Sequence, residues 1–500
     1  MIRIFNQYVS LRSVLTMLVE AALIVLSLFC GARLRFWYTP LEFDVFVELP
    51  RFGFQALLFV ITLQLCFYYA DLYNSMRSAS GRQAVRIVQS LGVSCLPLGL
   101  IYYLFPTLLI GRGVFYISMA LVAASVTLNR MVFHAAWRVA VPAQRVLILG
   151  TKDLALIVAR ELTRRDDLNM RVVGLVRESG AWLPNDEWFG HRVVGSTDKL
   201  EELVAKHRVS RIIVALEDRR GRLPIEALVR IRVQGVRVED INTTMSALSG
   251  RVWLETVKPS WFVFSDGFRR STATLASKRI VDLICGLVGL ILSAPIMIIV
   301  AVLIRLCGKG PIIFQQTRVG LHGKTFKLYK FRSMRVDAEA NGAQWAQWND
   351  PRITRLGKYL RKFRLDELPQ FWNVIRGEMG FVGPRPERPE FVELLRNKIS
   401  YYDERHSIRP GLTGWAQVSY NYGGSVEDAY RKLEYDLFYL KNMSFLFDGA
   451  ILLKTVRIVL TGAGSSPLAI PKELASSRSR SSPLAIPMEP EPVSSRSQSA

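Results

Sequence analysis

The chain has 500 residues, half of them hydrophobic, with 65 Lys+Arg against 42 Asp+Glu and a formal net charge of +23. That length allows roughly three domains of about 150 residues, and the basic excess fits anionic lipid headgroups or phosphorylated substrates. Without zinc-finger spacing or a basic zipper, nucleic acid is excluded as the expected partner. The five cysteines show no C-x-x-C pair and the five histidines are scattered, so neither a disulfide framework nor a His/Cys metal cage is expected.

The N-terminus, MIRIFNQYVSLRS, is basic and no small-residue cleavage site follows its apolar run, so it reads as a retained first anchor. Apolar runs at 13–33, 53–73, 88–110 and 114–135 are each long enough, at about 20 residues, to cross a hydrocarbon core. Arg3, Arg12, Arg77, Arg82, Arg86, Arg138 and Arg145 flank them on one side. The opposite loops hold arginines offset by Glu42, Asp44 and Glu48, or Arg112 alone. The positive-inside rule therefore places both ends of a four-helix transmembrane bundle, residues 1–140, in the cytoplasm.

Over 141–255 the pattern becomes a soluble α/β alternation. Strands are expected at Arg145–Gly150, Arg171–Val176, Arg211–Leu216 and Val236–Val238, with helices at Leu154–Arg165, Lys199–His207 and near 224–233. Such alternation predicts a Rossmann-like parallel sheet. The turn after the first strand, Gly150-Thr-Lys-Asp-Leu-Ala155, lacks the middle glycine that lets a backbone approach a pyrophosphate, so a degenerate site with a structural or regulatory role is expected.

Leu283–Ile304 (LICGLVGLILSAPIMIIVAVLI) is again long enough to span. Lys278, Arg279, Arg305 and Lys309 flank both ends, however, and Ser293-Ala-Pro295 lies at the middle, where proline removes a backbone donor. A spanning helix and a re-entrant helix–break–helix over 278–305 both fit the run; the charges and the proline favour the latter. A mostly helical C-terminal domain is expected over 270–463, and a disordered Ser/Pro/Arg-rich tail, with SSPLAIP repeated, over 464–500.

Within that domain, RKFRLDELPQFWNVIRGEMGFVGPR (361–385) centres on Asp366-Glu367 followed by Leu368 and Pro369. Proline is tolerated in a first helical turn, so a helix is expected to begin at or near Asp366. A carboxylate there can attack phosphorus or hold a divalent cation, and it can equally serve only as a cap. Lys330, Arg332, Arg361, Arg385 and Arg409 are among the surrounding cations, as phosphoryl transfer requires.

KRIVDLICGLVGLILSAPIM (278–297), GPIIFQQTRVG (310–320), FKLYKFRSM (326–334), RLDELPQFWNVIRGEM (364–379), VGPRPERPEF (382–391), RPGLTGWAQV (409–418) and YDLFYLKN (435–442), in this order, closely resemble the bacterial sugar transferases, the monotopic polyprenyl-phosphate phosphoglycosyltransferases. The anchor and Rossmann-like domain resemble the family's large members tied to exopolysaccharide synthesis. The resemblance implies transfer of a sugar-1-phosphate from a UDP-sugar to polyprenyl phosphate with release of UMP, at the cytoplasmic face of a bacterial inner membrane. It implies Asp366 as nucleophile and Glu367 as its Mg²⁺-associated partner, both candidate metal ligands. Arg361 and Arg385 fall on phosphate-holding positions, Lys330, Arg332 and Arg409 on nucleotide-sugar contacts, and Ser293 and Pro295 on the helix break. Asp436 and Asp448 are weaker site candidates. The extra anchor helices offer a surface for a homo-oligomer. A transferase-inactive membrane scaffold is the alternative; a nucleotide-sugar dehydratase or epimerase is disfavoured by the degenerate turn and by the lack of any Tyr-x-x-x-Lys pair.

Overall fold

The structure, a computed structural model, describes residues 2–4, 7–9, 11–48, 51–73, 80–140, 142–165, 168–178, 187–188, 190–216, 223–257, 259–265, 267–268, 271–340, 342, 350–420, 423 and 425–461. The tail expected at 464–500 lies outside the described residues. The chain divides into two units, one of residues 1–274 and 434–447, the other of 275–433 and 448 onward.

The first unit opens with an antiparallel pair, β1 (Ile2–Ile4) and β2 (Gln7–Val9), followed by α1 (Leu11–Arg35), α2 (Pro40–Glu48), α3 (Arg51–Tyr69), α4 (Ser80–Leu104) and α5 (Arg112–Ala140). The four long helices are each apolar enough over their length to cross a membrane. α1 packs on α5 and α3, and α4 on α3 and α5, around a core that includes Leu28, Phe59, Leu63, Val122 and Val126. The third apolar run was expected to reach 110, but α4 stops at Leu104; the next helical position but one is Pro106, which disfavours helical backbone at Phe105. Among the described residues, two charges are buried inside this bundle. Arg130 of α5 donates Nε to Glu20 Oε1 (2.6 Å) and Nη2 to Glu20 Oε2 (3.0 Å), and its Nη1 reaches the Leu72 carbonyl. Paired and turned inward, they avoid the cost of facing lipid alone.

The α/β part comprises β3 (Gln144–Leu149), α6 (Asp153–Arg164), β4 (Met170–Arg177), β5 (Glu187–Trp188), β6 (His191–Ser196), α7 (Leu200–Lys206), β7 (Arg211–Val214), α8 (Ile225–Val233), β8 (Arg237–Asp240), α9 (Ile241–Ser249) and α10 (Pro259–Phe264). Its six strands lie in the order β5-β6-β4-β3-β7-β8, parallel except for the short edge strand β5. Strand alternation explains the continuous apolar run of β3. Val146 and Ile148 enter one core with α6 and α9, while Leu147 and Leu149 enter the other with α7 and α8. β6 was not anticipated, because HRVVGS is short and broken by glycine. After β3 the chain turns through Gly150 at φ +128°, where a Cβ would meet the Ala215 carbonyl at 2.8 Å. The glycine is needed for close packing of the strand ends.

The second unit holds α11 (Thr272–Leu306), β9 (Ile313–Val319), β10 (Thr325–Phe331), α12 (Arg355–Lys362), α13 (Gln370–Arg376), β11 (Gly380–Val382), α14 (Pro389–Lys398), β12 (Gly411–Thr413) and α15 (Trp415–Ser419). α16 (Val426–Asn442) begins in it, and most of α17 (Phe445–Thr461) belongs to it. β9 and β10 form an antiparallel hairpin, and β11 pairs parallel to β12.

α11 departs from the expected helix–break–helix, since it is helical throughout with Pro295 inside it. A proline deletes a single backbone bond, the one to the Ile291 carbonyl, and the helix continues through that interruption. Its buried residues are Asp282, Gly286, Ser293, Val300 and Ile304, one stripe along the whole length. Arg279 donates to the Val374 and Ile375 carbonyls (2.7 and 2.8 Å), and Asp282 accepts from the Phe381 amide (2.9 Å). Gly286 and Gly289 sit against α13, while Val300 and Ile304 pack with Phe331 and Leu360. The opposite face, with Ile284, Val288, Ile291, Leu292, Ile298 and Ile299, is exposed and wholly apolar.

Candidate active site

The site is assembled by the β9–β10 hairpin, α12, the turn after it and the loop after β11. Along β10, Phe326, Leu328 and Lys330 share one face by strand alternation. Leu328 lies in a core with Val374 and Met379, so Lys330 is carried inward beside it. The free edge of β10 is satisfied by a buried side chain, Asn373 of α13. Its Oδ1 accepts from the Tyr329 amide (3.1 Å) and its Nδ2 donates to the Lys327 carbonyl (2.7 Å). This clamp fixes Lys330 relative to the turn that carries the carboxylates.

α12 is capped by Thr354, whose Oγ1 accepts from the Gly357 amide at 2.9 Å. Gly357 is obligatory there, because a Cβ would collide with the Ser333 carbonyl. The helix ends before Arg364, held in the left-handed region at φ 56°. That reversal starts a 3-10 turn, Leu365–Glu367, and α13 begins only at Gln370. The helix expected at or near Asp366 opens as this 3-10 turn: Pro369 immediately precedes the α-helix, and the carboxylates occupy the tighter turn before it.

Adjacent side chains in this turn have different surroundings. Asp366 is 7% exposed, and among the described residues its carboxylate accepts no hydrogen bond. Burial and then Glu367 push its carboxyl above the ordinary range, against Lys330, Arg361 and Arg364. Glu367 is equally buried, yet Arg385 Nη2 donates to its Oε1 (2.9 Å) and Arg364 Nη1 to its Oε2 (3.2 Å). Burial alone would raise its carboxyl; Arg385, Arg364 and Lys330 outweigh that and hold it well below the usual range. Lys330 is lowered to about 7, chiefly by burial and by Arg385.

Arg385 is aimed by an over-determined loop. The Gly383 amide donates to the Thr413 carbonyl and the Gly411 amide to the Pro384 carbonyl. Arg405 Nη2 reaches the Arg385 carbonyl (2.9 Å), Arg318 Nη1 the Pro386 carbonyl (3.1 Å), and the Val319 amide the Glu387 carbonyl. Prolines at 384 and 386 add stiffness without leaving amides to satisfy. Arg318, Lys330, Arg361, Asp366, Arg385 and Arg405 all line one cavity of about 250 Å³. A free buried carboxylate ringed by cations in such a cavity can attack a phosphorus whose oxygens the cations neutralise.

Other expected site residues stand elsewhere. Arg332 borders the cavity, but its guanidinium donates to the Ile304, Gly308 and Lys309 carbonyls and so caps the end of α11. Arg409 Nε donates to the Gly377 carbonyl beyond α13 (3.0 Å) and does not line the cavity among the described residues. Asp448 is paired with Lys278 at 2.6 Å. Asp436 is buried in α16, in the part belonging to the first unit. Ser293 and Pro295 lie within continuous helix, as described above. Sequence reasoning missed Arg318, Asn373 and Arg405 as organisers. Arg318 lies inside the quoted GPIIFQQTRVG stretch, whereas nothing local marks Arg405.

Residues 273–462 match the family described as bacterial sugar transferase, and 69–239 match the one described as CoA-binding domain. A UDP-glucose:undecaprenyl-phosphate glucose-1-phosphate transferase of Xanthomonas campestris pv. campestris is 31% identical over 348 residues, 68% of this chain and 72% of that protein. The chain belongs to the bacterial sugar transferase family. A second bacterial sugar transferase, the UDP-N-acetylgalactosamine-undecaprenyl-phosphate N-acetylgalactosaminephosphotransferase of Aeromonas hydrophila, is 40% identical over 238 residues, 48% of this chain and 56% of that protein. A Bacillus subtilis relative named as a putative undecaprenyl-phosphate N-acetylgalactosaminyl 1-phosphate transferase is 50% identical over 131 residues, 26% of this chain and 73% of its own. With five apolar helices long enough to span among the described residues, this bacterial sugar transferase is a membrane protein.

Proposed function

We propose that the chain transfers a sugar-1-phosphate from a UDP-sugar to polyprenyl phosphate, opening the synthesis of an exported polysaccharide. The observation that carries this reading is the division of labour in the turn: Glu367 is held by two arginines, one on each oxygen, while Asp366 is buried, unbonded among the described residues and faces a cationic cavity. In the first step an Asp366 carboxylate oxygen attacks the sugar-bearing phosphorus. The bond from that phosphorus to the bridging oxygen breaks, and UMP departs with the electron pair. In the second step an oxygen of the polyprenyl phosphate attacks the same phosphorus, and the Asp366 carboxylate leaves. Arg361, Arg385 and Lys330 offset the charge on the oxygens throughout.

The donor set suits Mg²⁺. Among the described residues no group of three or more His, Cys, Asp or Glu side chains could hold a metal, and Mg²⁺ is commonly held by one or two carboxylates plus substrate phosphates. Asp366 and Glu367 would hold it here, and when bound it adds positive charge at the diphosphate. The placement proposed for α11 is re-entrant, bent at Pro295 within the continuous helix, with both ends on the cytoplasmic side of the inner membrane. Its support is the stripe of contacts from Arg279 to Ile304 with one unit, which leaves a single lipid-ready face, and the basic residues at both ends.

The test is UMP release by the full chain in nanodiscs with Mg²⁺, polyprenyl phosphate and a panel of UDP-sugars. Release that depends on the lipid acceptor and falls to background in Asp366→Asn is expected. Full activity of that variant would remove Asp366 as nucleophile.

A further inference from the structure

We propose that a second, apolar cavity behind the Asp366 turn holds the first isoprene units of the polyprenyl phosphate acceptor; this rests on the transfer reaction just proposed. The cavity has a volume of about 250 Å³, and its wall is formed largely by Phe371, Phe381, Leu412, Val418, Ile458 and Val459. Phe371 and Phe381 stack at 5.8 Å. Apolar cavities of about 150 Å³ already admit benzene, so a short branched hydrocarbon fits this one. Its polar residues are few, and two of them, Thr413 and Thr455, are hydrogen-bonded to each other at 2.7 Å.

Position identifies the occupant. Arg364 and Glu367 line this cavity, whereas Asp366, the residue between Leu365 and Glu367, lines the cationic one. The ion pair from Glu367 to Arg385 joins the two, since Arg385 lines the cationic cavity. An amphiphile with a phosphate head and a hydrocarbon tail is the ligand that one such double site accommodates: head toward Asp366, tail against Phe371 and Ile458. The surroundings present apolar and aromatic side chains outward. Leu453 and Val456 on α17, Phe363 at the cavity wall, and Tyr359 and Trp372 nearby in the chain are all exposed. Aromatic residues of this kind mark a membrane–water interface.

The probe is a polyprenyl phosphate carrying a diazirine in its phosphate-proximal isoprene, irradiated with the full chain in nanodiscs. Label is expected in peptides covering 363–381 and 455–459, displaced by unlabelled polyprenyl phosphate and not by phosphatidic acid. Label confined to other peptides, or displaced equally by phosphatidic acid, overturns the assignment; the latter makes the cavity a site for bulk lipid. Val418→Trp and Ile458→Trp fill the space from two sides. In whichever of them melts like wild type, the acceptor KM is expected to rise at least tenfold with the donor KM within twofold. An unchanged acceptor KM in a folded variant overturns the proposal. UMP release without label at these peptides refutes the cavity and leaves the transfer reaction standing. Label there without UMP release from any donor does the reverse.

Discussion

Replacing Arg385 with Met tests the claim that Glu367 acts as a clamped partner and not as a second free carboxylate. The substitution removes the 2.9 Å donor to Glu367 Oε1 and leaves Arg364 on Oε2. Truncating one partner of a buried ion pair costs about 3–5 kcal/mol. Arg385 is 27% exposed against 9% for Glu367, so water screens part of the loss, and about 2–3 kcal/mol is expected. Because Arg385 also offsets charge on the transferring oxygens, kcat/KM is expected to fall by about 10²-fold as well. The assay is UMP release for Arg385→Met, Glu367→Gln and the double variant, each checked for melting temperature. Residues sharing one ion pair should show a coupling of at least about 1.5 kcal/mol, so the double variant loses much less than the two singles together. Arg332→Met is the control. Its guanidinium is engaged by the α11 carbonyls, so it should lower the melting temperature while changing kcat/KM less than about threefold. Additive losses at 367 and 385, within about 0.5 kcal/mol, would refute the clamp.

Two further expectations concern stability. In the anchor, Glu20→Gln or Arg130→Met leaves a charge unpaired in the bundle and should destabilise it by about 3–5 kcal/mol; combining them should cost less than either alone, measured by unfolding in mixed detergent micelles. At His406, burial and then Arg405 lower the imidazole from 6.5 to about 4. The unfolded chain therefore binds an extra proton between those values, and stability is lost as pH falls from 6.5 toward about 4, on the order of 3 kcal/mol in all. His406→Gln should flatten this part of the melting-temperature profile. An unaltered acid slope would show that another group governs it.

Much was legible because the signals are local. Apolar runs of membrane length announced the four long helices of the first unit, and the strand–helix alternation announced the parallel sheet, since periodicity is written in consecutive residues. The Asp366–Glu367 pair and the GPRP arginine stood out as a dense run of charge and proline. What the sequence could not separate was which carboxylate is free. Adjacent in the chain, the two differ because Arg385, 18 positions on, and Arg364 both reach Glu367 and neither hydrogen-bonds Asp366. The same holds for the cations. Arg332 and Arg409 read like nucleotide-sugar contacts, but backbone carbonyls at helix ends engage both. Nothing near Arg405 in the chain foretells that it braces the loop of Arg385. The sequence by itself determined the elements and the chemistry available, because propensity, hydropathy and residue type are properties of short segments. Only the tertiary structure decided which charged groups are engaged and which is left for reaction, because burial and hydrogen-bond partners come from segments far apart in the chain.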